Sequence, residues 1–232
     1  MSLSKSRLLP ALALACLTAS ASAVTSFTET FNTNASNWLN GASAAPTYSS
    51  TGGVSNSGFV SYTSTFSSAA TGSFGASPLQ ILFRGNSGSS ASGGAFTGNW
   101  ITSGVESITV SVRHNYTTSL NLYARLDAGS GRAASLADTS LYAVAPNTWT
   151  TISIPIVDTN PPFLSYGAGT FSTVFSNIQN VQLGFYLPAS TTFTNFEMAV
   201  DNIAVTVPEP ASFALAALGL GALTLRRRSR AA

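Results

Sequence analysis

FEMAVDNIAVTV, residues 196–207, alternates apolar and polar positions but changes phase in the middle. Phe196, Met198 and Val200 share one parity, whereas Ile203, Val205 and Val207 share the other. Successive side chains of a strand point to opposite faces, so a regular strand cannot bury both sets together. One extra residue at Asp201-Asn202, a β-bulge, returns both sets to the same face. The segment therefore predicts a long, bulged strand with one dry face.

Outward from that strand, other runs follow the same two-residue period. VESITVSVR (105–113) directs Ile108, Val110 and Val112 inward, and SLNLYARL (119–126) does the same with Leu120, Leu122, Ala124 and Leu126. VTSFTETF (24–31), FVSYTSTF (59–66), LQILFR (79–84), WTTISIPIV (149–157) and VQLGFYL (181–187) complete the set. Turn-rich connections of Gly, Ser, Asn and Pro separate them. The pattern predicts an all-β fold, an antiparallel jelly-roll sandwich of about eight strands, with an N-terminal signal helix and a short C-terminal transmembrane helix. Thr170 to Asn180 reads as weakly helical, and GNSGSSASGGAFTG (85–98) as a flexible surface loop.

Charged residues are only 8 % of the chain, far below the roughly 25 % of an ordinary soluble protein. Between Val24 and Val207 the bases are Arg84, Arg113, Arg125 and Arg132. The acids are Glu29, Glu106, Asp127, Asp138, Asp158, Glu197 and Asp201, so four against seven leaves −3. A nucleic-acid binder needs a basic stripe to displace counterions from phosphates, so that class is excluded. Cys16 is the only cysteine and lies in the leader, which leaves the domain without a disulfide or thiol chemistry.

The two ends have their own logic. In MSLSKSRLLPALALACLTASASA, Lys5 and Arg7 precede the apolar Leu8–Leu17 run, and Ala21-Ser22-Ala23 forms an A-x-A cleavage site with Val24 as the mature start. Residues 1–23 are thus expected to be a signal peptide, 24–206 the β-sandwich domain and 207–230 a separate C-terminal signal. In that signal Pro208-Glu209-Pro210 leads into an apolar span from Ala211 to Leu225 and then Arg226-Arg227-Arg228. As a helix these 211–225 residues would span about 22 Å, against roughly 30 Å of hydrocarbon. The arginines extend the reach and hold this end in the cytoplasm. The prolines keep the preceding segment extended, which suits a protease cleft.

The triple of Pro208-Glu209-Pro210, Ala/Leu/Gly span and Arg226-Arg227-Arg228 resembles a PEP-CTERM sorting domain, a family of Gram-negative bacteria that make exopolysaccharide. The resemblance implies export through the inner membrane, transient membrane anchoring, and cleavage near the Pro-Glu-Pro motif by exosortase. The protein would end at the cell surface or in the extracellular matrix.

The domain resembles the galactose-binding-like, carbohydrate-binding-module type of jelly roll. The matching pieces are Phe27-Thr28-Glu29-Thr30-Phe31 followed by Trp38, the Trp149-to-Ile154 strand, and the closing strand with Asp201-Asn202-Ile203. In such modules a structural calcium often sits between the first and last strands. Glu29, placed on an apolar face, and Asp201 are the candidate ligands here, since calcium takes hard oxygen donors. The alternative is that Glu29 meets water or an arginine at an edge and Asp201 ends a turn. No other cofactor is implied.

Catalytic signals are weak. His114 is the sole histidine and sits at a strand end beside polar residues, where a solvated loop position is expected. Gly85-Asn86-Ser87-Gly88-Ser89 misses the G-x-S-x-G pattern at its last position. No phosphate loop, zincin motif or EF-hand pattern is present. Sugar binding asks for aromatic rings beside amides and charges. Tyr123 and Arg125 on one strand and Gln182 and Tyr186 on another oppose the apolar faces, and would form a shallow patch if the two strands were neighbours. Trp38, Trp100 and Trp149 are expected in the core or closing loops. The sequence thus predicts a non-catalytic exported protein associated with exopolysaccharide. A carbohydrate-binding module with specific recognition is the second reading, and a glycan hydrolase the third.

Overall fold

The structure is a computed structural model and describes residues 23–67, 72–74, 77–129, 132–136, 142–160, 162–167, 169–188 and 192–208. The expected signal helix and transmembrane helix fall outside them. The described strands, in chain order, are β1 (Phe27–Glu29), β2 (Leu39–Asn40), β3 (Thr47–Ser49), β4 (Phe59–Ser67), β5 (Gly72–Phe74), β6 (Ser77–Asn86) and β7 (Ser107–His114). They continue with β8 (Leu120–Asp127), β9 (Arg132–Leu136), β10 (Ala143–Val144), β11 (Thr150–Pro155), β12 (Phe163–Gly167), β13 (Asn180–Tyr186) and β14 (Thr192–Thr206). One sheet runs β11-β7-β14-β4-β3, with β1 added to β14. The other runs β12-β9-β8-β13-β6-β2, with β10 on β8 and β5 on β6. Every strand pair is antiparallel. The architecture is the jelly-roll sandwich that the alternating runs predict.

β14 carries the expected phase change. Its pairing with β7 slips between Asp201 and Ala204, and Asn202 lies at φ 47°. As a result Phe196, Met198, Val200, Ile203 and Val205 are all buried. A second slip, against β4, falls between Phe193 and Phe196, with Asn195 at φ 57°. Asparagine tolerates the left-handed region better than most residues, which places one at each bulge. Between the sheets, Phe196 stacks on Phe66 with ring centroids 4.1 Å apart. Burying each side chain of this size contributes roughly 1.5–3 kcal/mol.

A third irregularity lies in β6, where Leu183 pairs with Phe83 but Gly184 pairs with Ile81. Leu82 and Phe83 are adjacent and both fully buried. Gly184 is required there, because a Cβ would lie 1.9 Å from the Gln80 carbonyl oxygen.

Two expectations need correction. Residues 85–98 are not a free loop: Ala91 and Phe96 are buried, and the Phe96 ring meets both Phe27 and Trp38 at 5.6 Å. His114 is not solvated, being 1 % exposed. The weakly helical stretch contains α2 (Phe171–Phe175), preceded in the chain by α1 (Trp100–Ser103). Asn99 Oδ1 caps α1 by accepting the Thr102 N–H at 2.9 Å, and the Thr170 hydroxyl caps α2.

Candidate functional site

β8 and β13 are hydrogen-bonded neighbours, and β6 flanks β13 on its other side. The inward residues of β8, Leu120, Leu122, Ala124 and Leu126, leave Asn121, Tyr123, Arg125 and Asp127 on the opposite face. The register then forms cross-strand rows. Arg84, Gln182 and Arg125 share one row, and Ile81, Gly184 and Tyr123 share the next. The structure therefore brings Tyr123, Arg125, Gln182 and Tyr186 onto a single face. Arg125 Nη1 donates to Gln182 Oε1 at 2.8 Å, and its Nη2 lies 3.5 Å from Asp127 Oδ2.

The two tyrosines meet edge to face at 5.3 Å, packed with Leu79 and against Ile81. They are only 1 % and 7 % exposed. Their rings serve as the apolar floor of this face, while Arg84, Arg125 and Asp127 remain half-buried. Arg84 was not singled out by the sequence, because the β6 bulge breaks the alternation that would have marked it as outward. Its Nε is buried without a hydrogen-bond partner. Burial, and then the neighbouring Arg125 guanidinium, lowers the Arg84 pKa from its ordinary value, while Asp127 acts in the opposite sense.

The outer face of the other sheet holds a second polar-aromatic cluster. Arg113 lies over the Trp149 ring at 5.0 Å and the Phe59 ring at 5.3 Å, and pairs with Glu197 at 3.6 Å. Trp149 Nε1 donates to the Gly52 carbonyl at 3.0 Å, so this tryptophan closes a loop. Trp38 and Trp100 are core residues. Each cation and ring in this cluster already has its partner within the domain.

Glu29 and Asp201 are both buried, on opposite faces of the same sheet. Glu29 stands opposite Ile203, which enters the core, whereas Asp201 stands opposite Ser111 on the outer face. Glu29 Oε1 accepts the Phe31 N–H at 2.9 Å; its Oε2 accepts Ser92 Oγ–H at 2.7 Å, and Ser92 Oγ in turn accepts Trp38 Nε1–H at 2.9 Å. Asp201 Oδ2 accepts from Val54 N at 2.9 Å and Ser57 Oγ at 2.6 Å, and Oδ1 from Asn202 N at 2.7 Å. Calcium needs six to eight converging oxygens. Here every carboxylate oxygen already faces an N–H or O–H donor, so this pair as placed does not fit calcium. Among the described residues no three His, Cys, Asp or Glu side chains cluster.

His114 is held neutral by its surroundings. Nδ1 accepts the Tyr116 N–H at 3.1 Å, which leaves Nε2–H to donate to the Val144 carbonyl at 2.9 Å. The ring packs edge-on to Phe185 at 5.0 Å. Desolvation lowers its pKa from 6.5, opposed by the Val144 hydrogen bond.

At the N-terminus Ala23 is exposed and Val24 is buried, with Val24 N donating to Ser103 Oγ at 2.9 Å. Ala21, Glu209, Pro210 and Arg226-Arg227-Arg228 lie outside the described residues; Pro208 is exposed at the end of β14. Ser26 Oγ donates to the Val207 carbonyl and accepts the Val207 N–H, both at 2.9 Å. The two processing points expected from the sequence therefore emerge at one end of the sandwich. No helix among the described residues is long and apolar enough to cross a membrane.

The described residues form a β-sandwich whose last strand leads into a C-terminal sorting segment. Residues 206–228 match the PEP-CTERM protein-sorting motif. The motif implies export and processing by exosortase. No curated protein matches the sequence. Among solved structures, similarity is found to the CBM22-1–GH10 modules of the Clostridium thermocellum endo-1,4-beta-D-xylanase 10B complexed with xylohexaose. It has 16 % identity over 80 % of this chain and 28 % of that one, with a TM-score of 0.46. An exo-beta-agarase is similar at 12 % identity over 78 % and 25 % of the two chains, TM-score 0.49. This chain thus spans about a quarter of the length of these two. A xylan-binding domain from CBM 22 is similar at 11 % identity over 78 % and 93 %, TM-score 0.42.

Proposed function

We propose that the protein is a non-catalytic module of the bacterial surface or extracellular matrix, delivered by exosortase and lodged among exopolysaccharide, which it contacts through the outer face of β6, β13 and β8. The observation that carries this reading is the row of Arg84, Gln182 and Arg125 in register across three strands. The two half-buried guanidiniums, one of them oriented by the buried Gln182 amide, suit the hydroxyls and ring substituents of a glycan chain. The weakly charged surface and the sorting motif support a place among polysaccharide. The engaged nitrogens of His114 support a structural role for the sole histidine.

The full chain, expressed with exosortase and recovered from outside the cells, should be retained by the exopolysaccharide of its producing cells, with retention lowered at least about tenfold by Arg125→Ala, the loss of one charge-assisted contact. Equal retention of Arg125→Ala overturns the assigned face. Sugar release that depends on one carboxylate overturns the non-catalytic reading.

A further inference from the structure

Arg84 is an unusual cation for this domain. The β6–β13–β8 register sets it two strands from Arg125, about 9.6 Å along the sheet, with Gln182 between them. Arg125 is already served by Gln182 and by Asp127. Arg84 forms no ion pair with a described carboxylate, and its Nε is buried without an acceptor. Among the described residues, Asp127 is the one carboxylate beside the two guanidiniums on this half-buried face. A buried N–H without an acceptor and a cation beside a like charge both cost stability. An anionic acceptor between the arginines relieves both costs.

From this we infer that Arg84 and Arg125 form a binding site for the carboxylate of an acidic polysaccharide, with Arg84 as the residue that selects uronate over neutral sugar. The inference rests on the glycan-contact reading above and deepens it. A planar carboxylate matches the fork of an arginine, and the Arg84 side chain is only half-buried although its Nε is buried without an acceptor. Gln182, held by Arg125, fixes the spacing. The central domain carries −3, from four bases and seven acids, so its overall field repels polyanions and retention must come from a local pair.

The test uses the full chain recovered from an exosortase-bearing host, with immobilised polygalacturonate and a neutral dextran as probes. Polygalacturonate should retain the protein, dextran at least about tenfold less, and added salt should weaken the retention. Arg84→Gln should lose at least about tenfold in polygalacturonate binding, the effect of one charge-assisted contact. Arg113→Gln, on the other sheet, should lose none. The melting temperature of Arg84→Gln should stay level or rise, because the substitution removes a repulsive neighbour of Arg125. A fall of several degrees marks Arg84 as structural and overturns the inference. Arg84→Lys keeps the charge and loses the fork, and should bind more weakly; equal binding overturns the inference. Equal binding to dextran and polygalacturonate overturns the acidic assignment and leaves glycan contact standing. Binding to neither probe nor to the native exopolysaccharide overturns both.

Discussion

Ser57 Oγ and Asp201 Oδ2 meet at 2.6 Å across 144 positions of sequence. This contact ties the turn at residues 53–57 to the bulge of β14. The same oxygen holds Val54 N, so one buried carboxylate satisfies donors that would otherwise lie unpaired. Asp201→Ala should therefore cost about 3 kcal/mol and Ser57→Ala about 1 kcal/mol, measured by chemical denaturation. Equal costs would mean that the hydroxyl, and not the carboxylate, fixes the turn.

Glu29 and Asp201 make a complementary prediction about metal. A ligand that binds only the folded state must raise its stability. Since the carboxylate oxygens are occupied by internal donors, a chelator should leave the melting temperature unchanged. A fall on chelation, restored by calcium, would show that the two residues rearrange to ligate the ion.

His114 makes stability depend on pH in a defined direction. Its folded pKa lies below 6.5, the unfolded value. Between the two, the unfolded chain binds a proton that the folded chain does not. Stability is therefore complete above about pH 6.5 and falls as the pH drops below it. The slope over this interval should vanish in His114→Gln, whatever that variant's absolute stability. A slope of the same size in the variant would place the effect on other groups.

Gly184 should tolerate no side chain. Alanine there would press on the Gln80 carbonyl, and either strand must shift. A loss of about 3 kcal/mol is expected from overpacking of this kind, read from thermal or denaturant unfolding. An unperturbed Gly184→Ala would show that the β6 bulge relaxes freely.

Sorting has a separate readout. Mass spectrometry of protein recovered outside cells should find Val24 at the start and no Arg226-Arg227-Arg228 at the end. In a host lacking exosortase the tail should remain. A tail retained in both hosts would contradict processing at Pro208-Glu209-Pro210.

The β14 bulge was legible because its twelve-residue run shows apolar residues on both sides of one phase change. Tyr123, Arg125, Gln182 and Tyr186 were legible as a set because β8 and β13 alternate without interruption. The burial of the two tyrosines was not, since they pack with Leu79 and Ile81 of β6, a strand distant in sequence. Arg84 was hidden by the adjacent buried pair Leu82 and Phe83, which breaks the alternation of that strand. His114 looked solvated because Arg113 and Asn115 flank it. Its burial comes from Val144 and from the rings of Phe185 and Phe196. Short strands such as β2 and β10 have two residues each, too few to display a period.

The reciprocal pair of hydrogen bonds between Ser26 and Val207 has a practical corollary. Head and tail of the domain are stitched together, so a short glycine bridge could join them. New ends could then be opened at the exposed Asp158–Asn160 turn without unpicking either sheet. Such a circular permutant would carry the same arginine face while lacking both delivery signals, and would allow that face to be displayed on any chosen scaffold.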